Sequence, residues 1–125
     1  MNKLWLGIAL LAILLLVGWI AGSALHHIHQ QLAKDLEAAA ETAQTDFREA
    51  NALARNAEKK WKKSRHLASA LADHEPLEEM DSLFAQLKIY ASGEHKTQYG
   101  AICADLASLA RAIGEEQCLY WWNLL

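Results

Sequence analysis

Three histidines close together, His26, His27 and His29, are the residues of this sequence best placed to bind a metal ion. On a helix, His26 and His29 would share a face, as pairs of metal ligands do. No Cys or acidic residue lies nearby, and two imidazoles are too few for a structural metal site. We therefore predict no metal and no cofactor, and interpret the three as a polar collar that is partly protonated below about pH 6.5.

A basic cluster surrounds Trp61. Two interpretations remain open: the cations form a solvated face while Trp61 packs inward, or they bind an anionic partner such as a wall polymer or an acidic protein face. We expect no nucleic acid as partner, because the net charge of the 125-residue chain is −3. The candidate patch consists of Lys59, Lys60, Lys62, Lys63 and Arg65.

His74, between Asp73 and Glu75, could act as an acid or a base because a neighbouring carboxylate favours a charged imidazole. No recognisable motif ties a nucleophile to it, so we interpret His74 as a structural residue that caps a helix end. With no other catalytic set in the sequence, we predict that the protein is not an enzyme.

The two cysteines, Cys103 and Cys118, leave two alternatives open. In an oxidising compartment they could form an intrachain disulfide. Cys103 also suits a buried helix face, where free Cys is common.

An uncharged apolar run from Leu4 to Leu25 precedes all of these candidate residues in the chain. As a helix it would rise roughly 33 Å, enough to cross a hydrocarbon core of about 30 Å. A signal peptide cleaved after Ala24 is the alternative, but the run exceeds the usual apolar region of roughly 7–15 residues. We predict that residues 1–25 form a cytoplasmic N-terminus and an uncleaved transmembrane helix. Gly18 and Gly22 offer a candidate face for close packing of transmembrane helices, against a protein partner or a second copy.

The charges beside this run predict its orientation. Lys3 precedes it, whereas Asp35, Glu37 and Glu41 outweigh Lys34 after it. Because cytoplasmic flanks are enriched in Lys and Arg, we expect a cytoplasmic N-terminus and an extracytoplasmic C-terminal domain in the cell membrane.

Residues 26–75 contain no Gly or Pro and are rich in strong helix formers. Apolar residues recur at the helical period of about 3.6, so we predict one long amphipathic helix. A straight helix would place Lys59 about 50 Å beyond the membrane. The apolar positions are Ile28, Leu32, Leu36, Ala39, Ala43, Phe47, Ala50, Leu53, Ala57, Trp61, Ser64, Ala68 and Leu71.

A helical hairpin is predicted for residues 76–114. Pro76 suits the first position of a helix, and Gly93 and Gly114 suit the positions just after two helix ends. Residues 115–125 then form a short apolar tail, in which Asn123 can satisfy backbone groups. The predicted fold class is all-α: a transmembrane helix continuing into a long helix that packs with two shorter ones and the tail as a small bundle.

This pattern resembles a bacterial family of small membrane-anchored proteins, domain of unknown function 4363. The resemblance covers most of the chain and implies a membrane-tethered helical protein, with no chemistry added. It rests on the N-terminal span, Trp61, His74 before Glu75, Leu87, the pair Leu106 and Leu109, and the ending Trp122-Asn123-Leu124-Leu125.

Two functions follow as expectations. The first is a non-catalytic interaction or accessory protein for a membrane partner. The second is an extracytoplasmic ligand-binding or sensing module with a pocket among the helices. Its expected aromatic lining is Trp61, Phe84, Tyr90 and Trp121.

Overall fold

The computed structural model describes residues 2–71 and 74–124, apart from the side chains of residues 71 and 116–124. This part of the chain forms four helices and contains no strand. The all-α prediction is therefore confirmed. The helices are α1 (Asn2–Thr42), α2 (Phe47–Leu71), α3 (His74–Ile89) and α4 (Lys96–Leu124).

The first helix, α1, has two halves with different surroundings. Every large apolar side chain from Leu4 to Ile20 is at least 45% exposed. Its most apolar window has a mean hydropathy of 2.6, and the helix is long and apolar enough to cross a membrane. From Gly22 onward, by contrast, one face of the same helix is buried.

The prediction of one helix over residues 26–75 is wrong, because the chain reverses after Thr42. The Thr42 hydroxyl donates a hydrogen bond to the Ala38 carbonyl (2.8 Å), and the Asp46 amide donates one to the Thr42 carbonyl (2.7 Å). Asp46 in turn accepts a hydrogen bond on its carboxylate from the Glu49 amide (3.1 Å). Asp46 is thus the N-cap of α2, and these bonds satisfy backbone groups that a helix end leaves unpaired.

The predicted apolar stripe is therefore folded back on itself. Ala39 of α1, Ala43 in the turn that follows it, and Ala50 and Ala57 of α2 are all fully buried. Such small side chains let two helix backbones approach closely, and α2 runs antiparallel along the packed half of α1. Trp61 consequently lies beside His29, which is nine residues or about 14 Å of helix beyond Ile20. The distance of about 50 Å from the membrane that a straight helix predicted for Lys59, two residues before Trp61, is therefore wrong.

The hairpin of α3 and α4 largely follows the prediction. α3 begins two residues before Pro76, and α4 begins at Lys96. Gly93, between the two helices, has a φ of 86°, the left-handed conformation that a glycine adopts without strain.

Gly114, predicted to end a helix, lies inside α4 instead. It is buried against α1: a Cβ at this position would lie 3.3 Å from the His29 Cβ and 3.5 Å from the His26 Nδ1. The glycine is used here for close approach of two helices. The prediction of a separate tail is accordingly wrong, because the α4 backbone stays helical to Leu124. The side chain of Asn123, like those of the apolar residues around it, lies outside the described part.

The four helices alternate in direction around α1. Gly100, near the start of α4, lies against Ala40 and Ala43, and Gly114, further along α4, lies against His26. α4 is therefore antiparallel to α1. Most of the packing is of α1 against α4 and α2, whereas α2 packs little against α3.

We predict that Ala57→Leu lowers the free energy of unfolding by about 1–3 kcal/mol, because added methyl groups overpack the α1–α2 interface. Ala52→Leu, on the exposed face of the same helix, is the matched control and should change it by less than about 0.5 kcal/mol. Denaturant titration of the full chain in detergent micelles measures both. Equal effects of the two substitutions would contradict close packing of α1 on α2.

Candidate interaction site

Trp61 connects α2 with α3 from inside the core. Its side chain is 2% exposed, and the indole Nε1 donates a hydrogen bond to the Asp81 carboxylate (2.6 Å). The other oxygen of Asp81 accepts a hydrogen bond from Arg65 (3.1 Å), whose guanidinium lies 5.9 Å from the centre of the indole ring. Trp61 therefore packs inward, as one of the two interpretations of the basic cluster expected.

His29 is fully buried next to Trp61, with the two rings edge to face at 5.7 Å. Its Nδ1 lies 2.8 Å from the Leu25 carbonyl, so Nδ1 carries the proton and donates. Nε2 then has no proton, and it has no hydrogen-bond partner among the described residues. Burial lowers the pKa of His29, and the nearby His26 acts in the same direction, although the bond to Leu25 opposes them.

The polar collar predicted from the three histidines is thus only partly present. His27 is exposed and is bonded to Gln31, whereas His26 is half-buried and donates from Nδ1 to the Gly114 carbonyl (2.9 Å). In the residues that the structure describes, no three His, Cys, Asp or Glu side chains come together as a metal site would require.

The five basic residues predicted as one patch are separated by the structure. Lys60 Nζ lies 2.7 Å from the Asp35 carboxylate of α1, and Arg65 is paired with Asp81. Of the remaining three, Lys59 and Lys62 line a groove and Lys63 is exposed outside it.

The groove lies between α2 and α3 and has a volume of about 510 Å³; we name it the α2–α3 groove. It is open to solvent along one side, and most of its lining surface is apolar. A hollow of about 280 Å³ shares Lys62 and Phe84 with it and extends it to Trp61 and Asp81. The groove is lined by Asn51, Ala54, Arg55, Glu58, Lys59, Lys62, Phe84, Leu87, Lys88, Ala91 and Tyr99.

The charges of the α2–α3 groove are unbalanced. Arg55, Lys59, Lys62 and Lys88 oppose a single carboxylate, that of Glu58, which leaves an excess of three positive charges in a chain of net charge −3. Glu58 is itself bridged to Lys62 (3.5 Å) and to Lys88 of α3 (3.3 Å). The groove therefore presents a basic rim above an apolar floor.

Two of these four cations, Arg55 and Lys88, were not part of the predicted patch. Arg55 could have been found from the sequence, because it is four residues before Lys59 and seven before Lys62, on one helix face. Lys88 belongs to another helix, and only the packing of α3 beside α2 brings it here.

The far end of the groove is closed by Tyr99 of α4. Its hydroxyl donates a hydrogen bond to the Asn51 side chain (3.1 Å), and its ring contacts Phe47 edge to face at 4.7 Å. Burial raises the pKa of Tyr99, so the phenol stays protonated and acts as the donor in this bond.

Cys103, one turn further along α4, is a buried free thiol. Burial raises its pKa to about 12, so it is protonated at neutral pH. Cys103 and Cys118 lie fifteen residues apart on a single helix, or about 22 Å, far beyond the Cα separation of about 7 Å that a disulfide permits. The intrachain disulfide is therefore excluded.

A charged pair links α4 to α1. Arg111 donates two hydrogen bonds to the Glu37 carboxylate, at 2.7 and 2.9 Å. This bidentate bond lowers the pKa of Glu37 and raises that of Arg111.

Three other predicted site residues remain: Gly18, Gly22 and His74. Gly22 is buried within the chain and Gly18 is half-buried, so the chain itself already covers part of the predicted transmembrane packing face. His74 is exposed at the first residue of α3, and its role as a cap stays a prediction.

Together these features define an antiparallel four-helix bundle, within the described residues, that is built onto the extension of one exposed apolar helix. Residues 19–124 match the family model described as Domain of unknown function (DUF4363), and the chain belongs to this family. The resemblance inferred from Trp61, Leu87 and the other quoted positions is thereby confirmed.

The family match begins at Trp19 and therefore covers the bundle but little of the exposed apolar segment. It leaves the bacterial source and the membrane anchor as predictions. No curated protein and no solved structure matches the chain.

We predict that Trp61→Ala lowers the free energy of unfolding by about 3–5 kcal/mol, because it removes a large buried side chain and its bond to Asp81. Replacing Lys59, Lys62 and Lys63 together by Gln should cost much less, since exposed charges contribute little to folding. Thermal unfolding of the full chain in micelles, followed by circular dichroism, compares them. A larger loss of stability in the Gln variant than in Trp61→Ala would mean that the lysine face of α2, and not the Trp61 face, is the packed one.

His29 predicts a loss of stability in mild acid. Below about pH 6.5 the unfolded chain binds a proton at this residue that the folded chain, with its lowered pKa, does not. The free energy of unfolding should therefore fall as the pH falls from 7.5 to 5.5, by at most about 1.4 kcal/mol per pH unit from this group.

His29→Gln removes the titrating group and should flatten this dependence, whereas His27→Gln, at an exposed histidine, should keep it. Denaturant titrations at the two pH values give the slopes. An unchanged slope in His29→Gln would show that other groups cause the pH dependence.

Proposed function

We propose that this protein is a non-catalytic interaction or accessory module that one transmembrane helix holds at the surface of the cell membrane, with its N-terminus in the cytoplasm and its bundle outside. The observation that carries the proposal is the division of α1. Its apolar side chains from Leu4 to Ile20 are exposed, while the same unbroken helix forms the centre of the packed bundle.

The exposed half of α1 favours a membrane over water. A soluble domain rarely leaves a large contiguous apolar surface uncovered, and seventeen residues of helix span about 25 Å, close to the thickness of a hydrocarbon core. Lys3 before this segment, and Asp35, Glu37 and Glu41 after it, support the proposed orientation.

The polar side chains of the bundle favour an accessory role over catalysis. The buried His29 is bonded to the backbone of its own helix, and Cys103 is a protonated thiol inside the core. Asp81 and Glu37 are engaged by Trp61, Arg65 and Arg111, where they hold helices together.

The orientation is tested by cysteine labelling of the full chain. Ser92→Cys, in the exposed turn between α3 and α4, is made in a Cys118→Ser background, in which the buried Cys103 is the remaining thiol. A membrane-impermeant maleimide should label it on intact cells, after permeabilisation of any outer membrane.

Asn2→Cys in the same background is the matched control for the other end of α1, and it should react only after lysis. The opposite pattern would overturn the orientation. Recovery of the chain in the soluble fraction would overturn the anchor itself.

A ligand-binding or sensing module is the second candidate, and the α2–α3 groove is the observation that favours it. Phe84 lies in this groove as expected, and Trp61 lies in its extension. Tyr90 packs against His95 instead, and the side chain of Trp121 lies outside the described part. Because the groove is open along one side, it would enclose a small ligand less completely than ligand pockets usually do.

A further inference from the structure

The α2–α3 groove has the length and direction of a helix-binding site. On α2 its lining runs from Asn51 to Lys62, twelve residues that rise about 16 Å, which is about three turns of helix. The groove follows the helix axes, since Lys88 bridges to Glu58 in its middle and Tyr99 closes its far end. Three turns is the length over which an amphipathic helix presents anchors at positions i, i+3 or i+4, and i+7.

The charges on the rim specify the chemistry of the occupant. Arg55, Lys59 and Lys62 follow one another at helical spacing, so these like charges repel and weaken α2. The carboxylate of Glu58 is already shared between Lys62 and Lys88 and cannot balance them. Carboxylates from outside the chain would relieve this repulsion.

We propose that the α2–α3 groove binds an acidic amphipathic helix of a partner protein, with apolar anchors on the floor and carboxylates toward the four cations. This deepens the interaction role and rests on that proposed function. The floor is supplied by Ala54, Phe84, Leu87 and Ala91.

Anionic lipid fits the groove less well than a helix does. The end nearest the apolar segment is at the level of Trp61 and His29, about 14 Å of helix beyond Ile20. From there the groove runs away from the apolar segment toward Tyr99.

A second copy of the chain fits less well for another reason. The apolar faces of α3 and of the part of α4 whose side chains the structure describes are already buried in the bundle, with Leu77, Met80 and Leu106 fully covered. Within the described residues outside the apolar segment, a copy therefore has no free amphipathic helix to insert.

The test uses the full chain in detergent micelles and a fluorescent, hydrocarbon-stapled helix of about four turns, with Leu at i, i+3 and i+7 and Glu at the flanking positions. Fluorescence anisotropy should show saturable binding. Lys59→Glu combined with Lys62→Glu should weaken it about tenfold or more, and the same peptide with Lys in place of Glu should bind this variant better than it binds the unchanged chain.

Lys34→Glu combined with Lys63→Glu is the matched control, because it reverses two exposed lysines that do not line the groove. It should change the affinity by less than about twofold. Circular dichroism melts verify that each variant is folded. Equal losses in both double variants, or no binding up to about 1 mM peptide, would overturn the proposal.

Two further outcomes identify other occupants. Displacement of the peptide by inorganic phosphate or by decanoate at similar concentrations would overturn helix binding in favour of a small anion or an acyl chain. A dimer in sedimentation that disappears in the Lys59→Glu, Lys62→Glu variant would overturn it in favour of a second copy. Failure of peptide binding leaves the labelling pattern of Ser92→Cys unchanged, so the groove and the anchored orientation fail independently.

Discussion

α1 is one unbroken helix with an exposed apolar first half and a packed second half. This constraint determines how the other helices are arranged. Because the packed half begins at Gly22, directly after the exposed segment, the bundle must assemble alongside the second half of α1. The reversal after Thr42 returns α2 along it, and α4 returns along another side. α3 completes the bundle beside α4, and the space left between α2 and α3 is the groove.

The sequence was sufficient for the helical class and for the buried face, but not for the reversal of the chain. The stripe through Ala39, Ala50 and Trp61 is the observed core face. The reversal was missed because residues 43–46 contain no Gly or Pro and their neighbours favour helix. A weaker signal was present: Asp46 followed by Glu49 is the spacing of an N-cap and its third helical residue. An antiparallel fold-back leaves the periodicity of a stripe almost unchanged, so periodicity alone could not reveal it.

Positions that depend on a neighbouring helix were the least predictable. A glycine such as Gly114 suits both a helix end and a close helix crossing, and only the presence of His26 and His29 beside it decides between them. The same holds for His29, which is polar in type but buried by Trp61. In the α2–α3 groove, the sequence of α2 alone predicts the row of Arg55, Lys59 and Lys62. The position of Lys88 and the apolar floor depend on the packing of α3 beside α2.

The continuity of α1 makes it a lever arm about 60 Å long. A helix in a bilayer changes its tilt when the thickness of the hydrocarbon layer changes. Since no hinge separates the exposed and the packed halves of α1, such a tilt would, in the proposed anchored arrangement, swing the whole bundle through the same angle and displace the α2–α3 groove sideways. The mechanical state of the bilayer would then set the height and direction at which this protein meets its neighbours.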